Sequence, residues 1–267
     1  MRYFFAVLLA LVLAACDSNT PEPAPSEERD TSITEAEIPA SDWQQNADKA
    51  FQDSAAAWQQ ALLDFTETRE QAQLDALRDR LEDWYAAFVD HYLLAASRAC
   101  QLKQQELLNR MDTWPLYPGY LDALPEWPES GLISDPYLEL TRQNLRRQHG
   151  ATDPAEASLG FAALSVVLNG TTESPKALAA FTGEEGIPAR RRQYLKLAGE
   201  QLLADHQQLS LNRPLNELAL QCGLMETLAH WQQQQDPTSE QEEGLLIPAL
   251  SLAVNETVLL DAVQAMD

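Results

Sequence analysis

The sequence predicts an all-α protein, a bundle of antiparallel amphipathic helices. Three observations carry that expectation. Apolar residues recur at spacings of three and four through most of residues 43–266, which lines one face of a helix. No stretch alternates with period two over a useful length, as a half-buried strand requires. Pro154, Pro214 and Pro248 each stand at the head of an apolar-periodic stretch, where the first helical turn tolerates a missing N–H.

The chain opens Met1-Arg2-Tyr3, then an apolar run from Phe4 to Ala15, then Cys16. One positive charge before a short apolar stretch is the pattern of a secretory signal. The run is too short to span a bilayer, which takes roughly 20 apolar residues. Leu13-Ala14-Ala15-Cys16 resembles a bacterial lipobox. Residues 1–15 are therefore expected to be a lipoprotein signal peptide, with Cys16 the lipidated first residue of the mature chain. An ordinary signal peptide with a coincidental Cys is the alternative. The expected location is the periplasmic side of a bacterial membrane; Asp17 resembles the signal that retains a lipoprotein at the inner membrane and favours it over the outer.

Residues 16–41 read as a disordered tether, punctuated by Pro21, Pro23, Pro25 and Pro39 among Ser, Thr and Glu. Such a segment cannot bury enough apolar surface to offset its ordering entropy. A flexible chain of about 25 residues spans on the order of 25–30 Å, enough to hold a folded body clear of a membrane.

The folded body follows from residue 42 to 267. Trp43, Ala47, Phe51, Ser54, Trp58, Leu62 and Phe65 form one stripe, with Ser41 or Asp42 as its cap. Thr66 to Glu70 is polar and reads as a turn. Leu74, Leu77, Leu81, Trp84, Phe88, Tyr92 and Ala95 form a second stripe, which continues in pattern through Leu107 to Met111. A short turn between two such helices makes them antiparallel neighbours. Trp114 to Pro136 breaks the pattern with five prolines and two glycines, and reads as either a functional loop or an aromatic-stapled crossover. Helices are expected again at 137–148, 154–168, 190–211, 214–234 and about 248–266.

Charge and composition exclude several classes of function. Lys and Arg number 18 against 41 Asp and Glu, a net charge of −23, and so acidic a surface repels nucleic-acid phosphates. Gly numbers 10, with no Gly-rich phosphate loop. Three Cys and four His include no CxxC and no HExxH, so the common zinc and redox frameworks are absent. Cys100 and Cys222 both fall on apolar stripes; they are either a disulfide, which an oxidising compartment permits, or two small buried hydrophobes. Glu226 and His230, four apart, read as an ordinary helical pair rather than metal ligands. His91, His149 and His206 have no carboxylate at metal spacing on a shared face. Arg142, Arg146 and Arg147 form one basic cluster; Arg190, Arg191, Arg192 and Lys196 form another. They either order an anion or clamp internal carboxylates, and internal pairing is the expectation in so acidic a chain.

A resemblance emerges between Trp114 and Leu209. Trp114-Pro115-Leu116, Gly119-Tyr120-Leu121-Asp122, Gly131-Leu132-Ile133-Ser134-Asp135 and Arg190-Arg191-Arg192-Gln193-Tyr194-Leu195 come in the order and spacing of the imelysin family. Ser158 to Gly170 falls where that family carries G-x-H-x-x-E, an apolar run and Trp-Gly. The resemblance implies an all-α, imelysin-like helical bundle of two bundle-like lobes, roughly 42–113 and 137–267. The family includes metallopeptidases and relatives linked to iron uptake. This chain departs from it at the chemistry. Gly160 and Gly170 remain, but the family's His falls on Ala162, its Glu on Ser165 and its Trp on Asn169. No catalytic residue, cofactor or metal ligand is assigned. The expected function is a non-catalytic imelysin-like lipoprotein in an iron-acquisition setting, binding a periplasmic protein or a metal-related ligand. A metal-dependent enzyme whose site is rebuilt from other acids, and a structural adaptor, are the alternatives.

Overall fold

The computed structural model describes residues 37–38, 42–210 and 214–234. The signal peptide, Cys16, Asp17, most of the tether and the helix expected near 248–266 lie outside the described residues. Among the described residues there are eight α-helices and a single two-residue strand pair, so the chain is all-α. No described helix is long and apolar enough to cross a membrane.

Helices α1 (Asp42–Thr68) and α2 (Gln71–Leu102) form a long antiparallel hairpin. Arg69 closes α1 in a left-handed conformation, φ 53°, and its N–H donates to the Phe65 carbonyl at 2.8 Å. The two stripes read from sequence face each other. Phe51, Trp58, Leu62 and Phe65 on α1, and Leu74, Leu77, Leu81, Trp84, Phe88, Tyr92 and Ala95 on α2, are all buried. Phe51 meets Trp84 at 5.8 Å between ring centroids, and Trp58 meets the same ring at 5.2 Å.

The second stripe does not run unbroken to Met111. Lys103 is left-handed, φ 55°. The N–H of Gln104 donates to Ala99 and that of Lys103 to Cys100, which caps α2 in a Schellman motif. A separate helix α3 (Gln105–Met111) follows. A Lys rather than a Gly at that cap is why periodicity alone missed the break.

Two more expected helices are shorter than their apolar patterns. Of 137–148, only Arg142–Gln148 is helical (α5), started by Thr141, whose hydroxyl accepts the Asn144 N–H at 3.1 Å. The preceding segment is pinned elsewhere, with Gln193 Nε2 donating to the Leu140 carbonyl at 3.0 Å. Of 154–168, only Phe161–Asn169 is helical (α6). Ser158 Oγ donates to the Leu145 carbonyl at 2.6 Å, and Gly160 sits at φ 101° against the chain end of α3. A Cβ at Gly160 would lie 2.6 Å from the Arg110 carbonyl oxygen, so only Gly fits there.

Between α3 and α5 the loop of residues 114–136 carries one short helix, α4 (Pro118–Leu121). Helix α7 (Gly186–Leu209) crosses the hairpin. Its Gly199 lies against Trp58, where a Cβ would come within 2.1 Å of the indole ring. Strand β2 (Leu215–Asn216) pairs antiparallel with β1 (Glu37–Ile38). The chain just before α1, read from composition as the end of the tether, is thus tied to the body at that point. Helix α8 (Glu217–Gln234) packs along α2, with Gly223 directly over Ser97. The expected helix from Pro214 starts at Glu217 instead, where Asn216 Oδ1 accepts the Ala219 N–H at 2.7 Å.

The main core runs from Phe51 to Leu209 and draws on both sides of the 114–136 loop. Leu94, Leu215 and Ala219 form a small satellite core beneath α8.

Candidate functional site

Helix α6 carries the motif region, and all nine of its residues are buried. Phe161 stacks into the aromatic cluster of α2, 5.2 Å from Trp84 and Tyr85 and 5.0 Å from Phe88. Ala162 and Ser165 are 3% and 2% exposed. Asn169 Nδ2 donates to Ser165 Oγ at 3.1 Å, so the one hydroxyl at these positions is engaged. Gly170, φ 82°, ends the helix where a Cβ would meet the Ser174 carbonyl oxygen at 2.2 Å. The two glycines are thus held by backbone contacts that do not depend on the chemistry between them. A small depression lies off this end of α6, lined by Asp122, Leu124, Val166, Gly170, Ser174 and Lys176.

The arginines of α7 turn inward. Arg191 grips the buried Asp122 with two bonds, Nε to Oδ2 at 2.7 Å and Nη2 to Oδ1 at 2.9 Å. Lys176 Nζ lies 3.1 Å from the same carboxylate. Burial pushes the Asp122 carboxyl up, but Arg191 and Lys176 outweigh it and hold it below the ordinary value. Arg190 donates to the carbonyls of Leu132, Ile133, Asp135 and Leu138 at 2.6–3.2 Å, which staples the loop to α7. Arg192 donates to the carbonyls of Phe181 and Gly183. These three guanidiniums clamp the interior. Arg142, Arg146 and Arg147 sit on an exposed face of α5. Arg110 and the buried Asp205 make a further bidentate pair at 2.7–2.8 Å, 95 residues apart.

No carboxylate shares a helix face with His91 or His206 at metal spacing; the fold instead brings Asp48 from α1, His91 from α2 and His206 from α7 together. His91 Nε2 lies 2.9 Å from His206 Nε2 and 3.7 Å from Asp48 Oδ1. Arg98 holds Asp48 with two bonds of 2.6 and 2.7 Å. Both rings are fully buried. Burial, with Arg98 nearby, pushes His91 down to about 3; burial and the neighbouring His91 push His206 down to about 2. The separation of 43 to 158 positions among these three left no local signal in the sequence.

His230 turns toward α3 and α2. It lies 3.0 Å from Asp112 and stacks on Tyr92 at 4.3 Å. Glu226 is exposed and lies near the Cys100–Cys222 disulfide, which joins α2 to α8 with a Cα–Cα distance of 6.1 Å.

The class of protein is now defined: a helical bundle whose motif helix is sealed inside the core and whose buried charges are paired across distant helices. The family described as imelysin, peptidase M75, matches residues 44–214. The chain belongs to the imelysin family. Helix α8 begins just beyond the matched residues. Among curated proteins, no relative matches the chain.

Proposed function

We propose that this imelysin-family chain is a lipid-anchored protein of the periplasmic face of a bacterial membrane, and that it acts by binding rather than by hydrolysis. The state of the motif helix carries this reading. Ala162 and Ser165 stand where the resemblance puts a His and a Glu, both side chains are buried, and Asn169 engages the hydroxyl. Imidazole and carboxylate bind metals and activate water. A methyl group and an engaged hydroxyl do neither. Cys16 behind Leu13-Ala14-Ala15, Asp17 and the Pro-rich tether support the anchor at the inner membrane. Relatives linked to iron uptake support an iron-acquisition setting, with a periplasmic protein or a metal-related ligand as the bound species.

Peptidase assays on the full chain, with and without divalent metal, are expected to show no turnover. Ala162→His with Ser165→Glu is expected to lower stability in chemical denaturation, because an unpaired carboxylate among apolar side chains is costly. Metal-dependent turnover by the unmodified chain would overturn the binding reading. Cys16→Ser is expected to release the protein from membranes or to stall its processing; normal processing and unchanged fractionation would overturn the anchor.

A further inference from the structure

We propose that Asp48, His91 and His206 form a binding site for a divalent first-row transition-metal ion, which would lock α1, α2 and α7 together. The site is separate from the motif helix, and the inference does not rest on the reading above. Two imidazole nitrogens and one carboxylate oxygen lie within 4.8 Å of one another. Metal–nitrogen bonds of about 2.0–2.1 Å set at roughly 90–110° place two ligands about 2.9–3.4 Å apart. The two Nε2 atoms are 2.9 Å apart, at the near edge of that range, and Asp48 Oδ1 is 3.7 Å from His91 Nε2, a short side-chain adjustment away.

Two of the three ligands, Asp48 and His206, have outer partners, while His91 Nδ1 is buried without a hydrogen bond. Ligating groups need outer partners that fix their orientation. Arg98 holds the Asp48 carboxylate in a two-bond grip. Ser210 Oγ lies 3.1 Å from the His206 ring nitrogens, and Phe51 stacks on that ring at 3.8 Å. The two Nε2 atoms, 2.9 Å apart, share one proton between them, which passes to an Nδ1 when both nitrogens take the ion. The Asp48 side chain is 22% exposed while His91 is closed off, so an ion would enter past Asp48. The site is structural rather than catalytic.

Donor chemistry sets the kind of ion. Arg98 offsets the Asp48 charge, so the site is not strongly anionic. Ca²⁺ and Mg²⁺ need several oxygen ligands, whereas imidazole suits Zn²⁺, Co²⁺ and Fe²⁺. Co²⁺ titrated into the metal-stripped, oxidised full chain should bind at one equivalent, develop visible d–d absorption and raise the thermal midpoint. Zn²⁺ should displace it; Ca²⁺ and Mg²⁺ should not. Asp48→Asn, which keeps side-chain volume, and His206→Phe, which keeps an aromatic ring against Phe51, should each weaken Co²⁺ binding more than tenfold. Glu226→Gln, beside the disulfide, should leave the isotherm unchanged. Absence of saturable binding to the unmodified chain, or equal affinity in the Asp48→Asn and His206→Phe variants, would overturn the site. Neither result bears on turnover or membrane fractionation, so the two readings fail independently.

Discussion

Three histidines, the buried His91 and His206 and the partly buried His149, stay neutral in this fold, and neutrality makes the metal-free chain sensitive to acid. His91 is held near 3 and His206 near 2, mainly by burial. His149, beside Thr113 and facing Arg110 and Asp205, is pushed down by burial and by Arg110 to about 4. In the unfolded chain each returns to about 6.5. Between those values the unfolded state binds more protons than the native one, so stability rises with pH. It is fully present above about pH 6.5 and is lost as pH falls toward 4 and below. Each such proton is worth about 1.4 kcal/mol per pH unit. Denaturant unfolding of the metal-stripped chain should therefore show a marked loss between pH 7 and pH 5, and His149→Gln should flatten the slope. A flat profile would mean these rings are not held neutral. The acids are distributed differently. Asp122 and Asp205 are buried with two-bond arginine partners, a form of pairing in which losing one partner strands a charge in the core.

Helix packing in this bundle depends on two glycines that mark close crossings. Gly199 of α7 meets Trp58 of α1, and Gly223 of α8 meets Ser97 of α2. A Cβ at Gly199 would lie 2.1 Å from Trp58 Cζ3, and Trp58 is itself 1% exposed with nowhere to move. Ala gains up to about 1 kcal/mol over Gly in helix propensity. Overpacking a closed core costs about 1–3 kcal/mol. The steric term wins, so Gly199→Ala should destabilise by up to about 2 kcal/mol, seen as a lower denaturation midpoint at unchanged slope. A stabilised variant would show that α1 and α7 lie further apart than the structure has them.

Over the whole molecule, α8 stands apart from the main core, which among the described residues draws nothing from it. It lies beyond the residues matched to the imelysin family, and it packs through the satellite core of Leu94, Leu215 and Ala219 and through the buried Leu220. Leu218 and Met225 on its outer face are 61% and 67% exposed. The Cys100–Cys222 disulfide, closing a separation of 122 residues, ties it to α2. A loop of that size makes the crosslink worth about 2–5 kcal/mol. Cys100→Ser with Cys222→Ser should lose stability in that range, and hydrogen exchange should rise first in α8, as the weakest cooperative unit. Uniform loss of protection across α1, α2 and α7 would show that α8 is part of the main core.

What the sequence determined by itself is the helical class and most of the inward faces. Leu74 to Ala95 on α2 and Phe51 to Phe65 on α1 are legible because burial on a helix repeats every three or four residues, and that repeat is local. The motif segments from Trp114 to Leu209 placed the chain near the imelysin family for the same reason, since each is a short contiguous string. The tertiary structure alone decided where helices begin and which polar groups meet. α6 starts at Phe161 because Gly160 lies against the α3 carbonyls, and α2 ends at Lys103 through a cap that no Gly announces. Asp48, His91 and His206, like Asp122 and Arg191, are brought together from separate elements. A pairing across so many residues leaves no periodic trace, because it depends on how whole helices cross and not on the backbone between them.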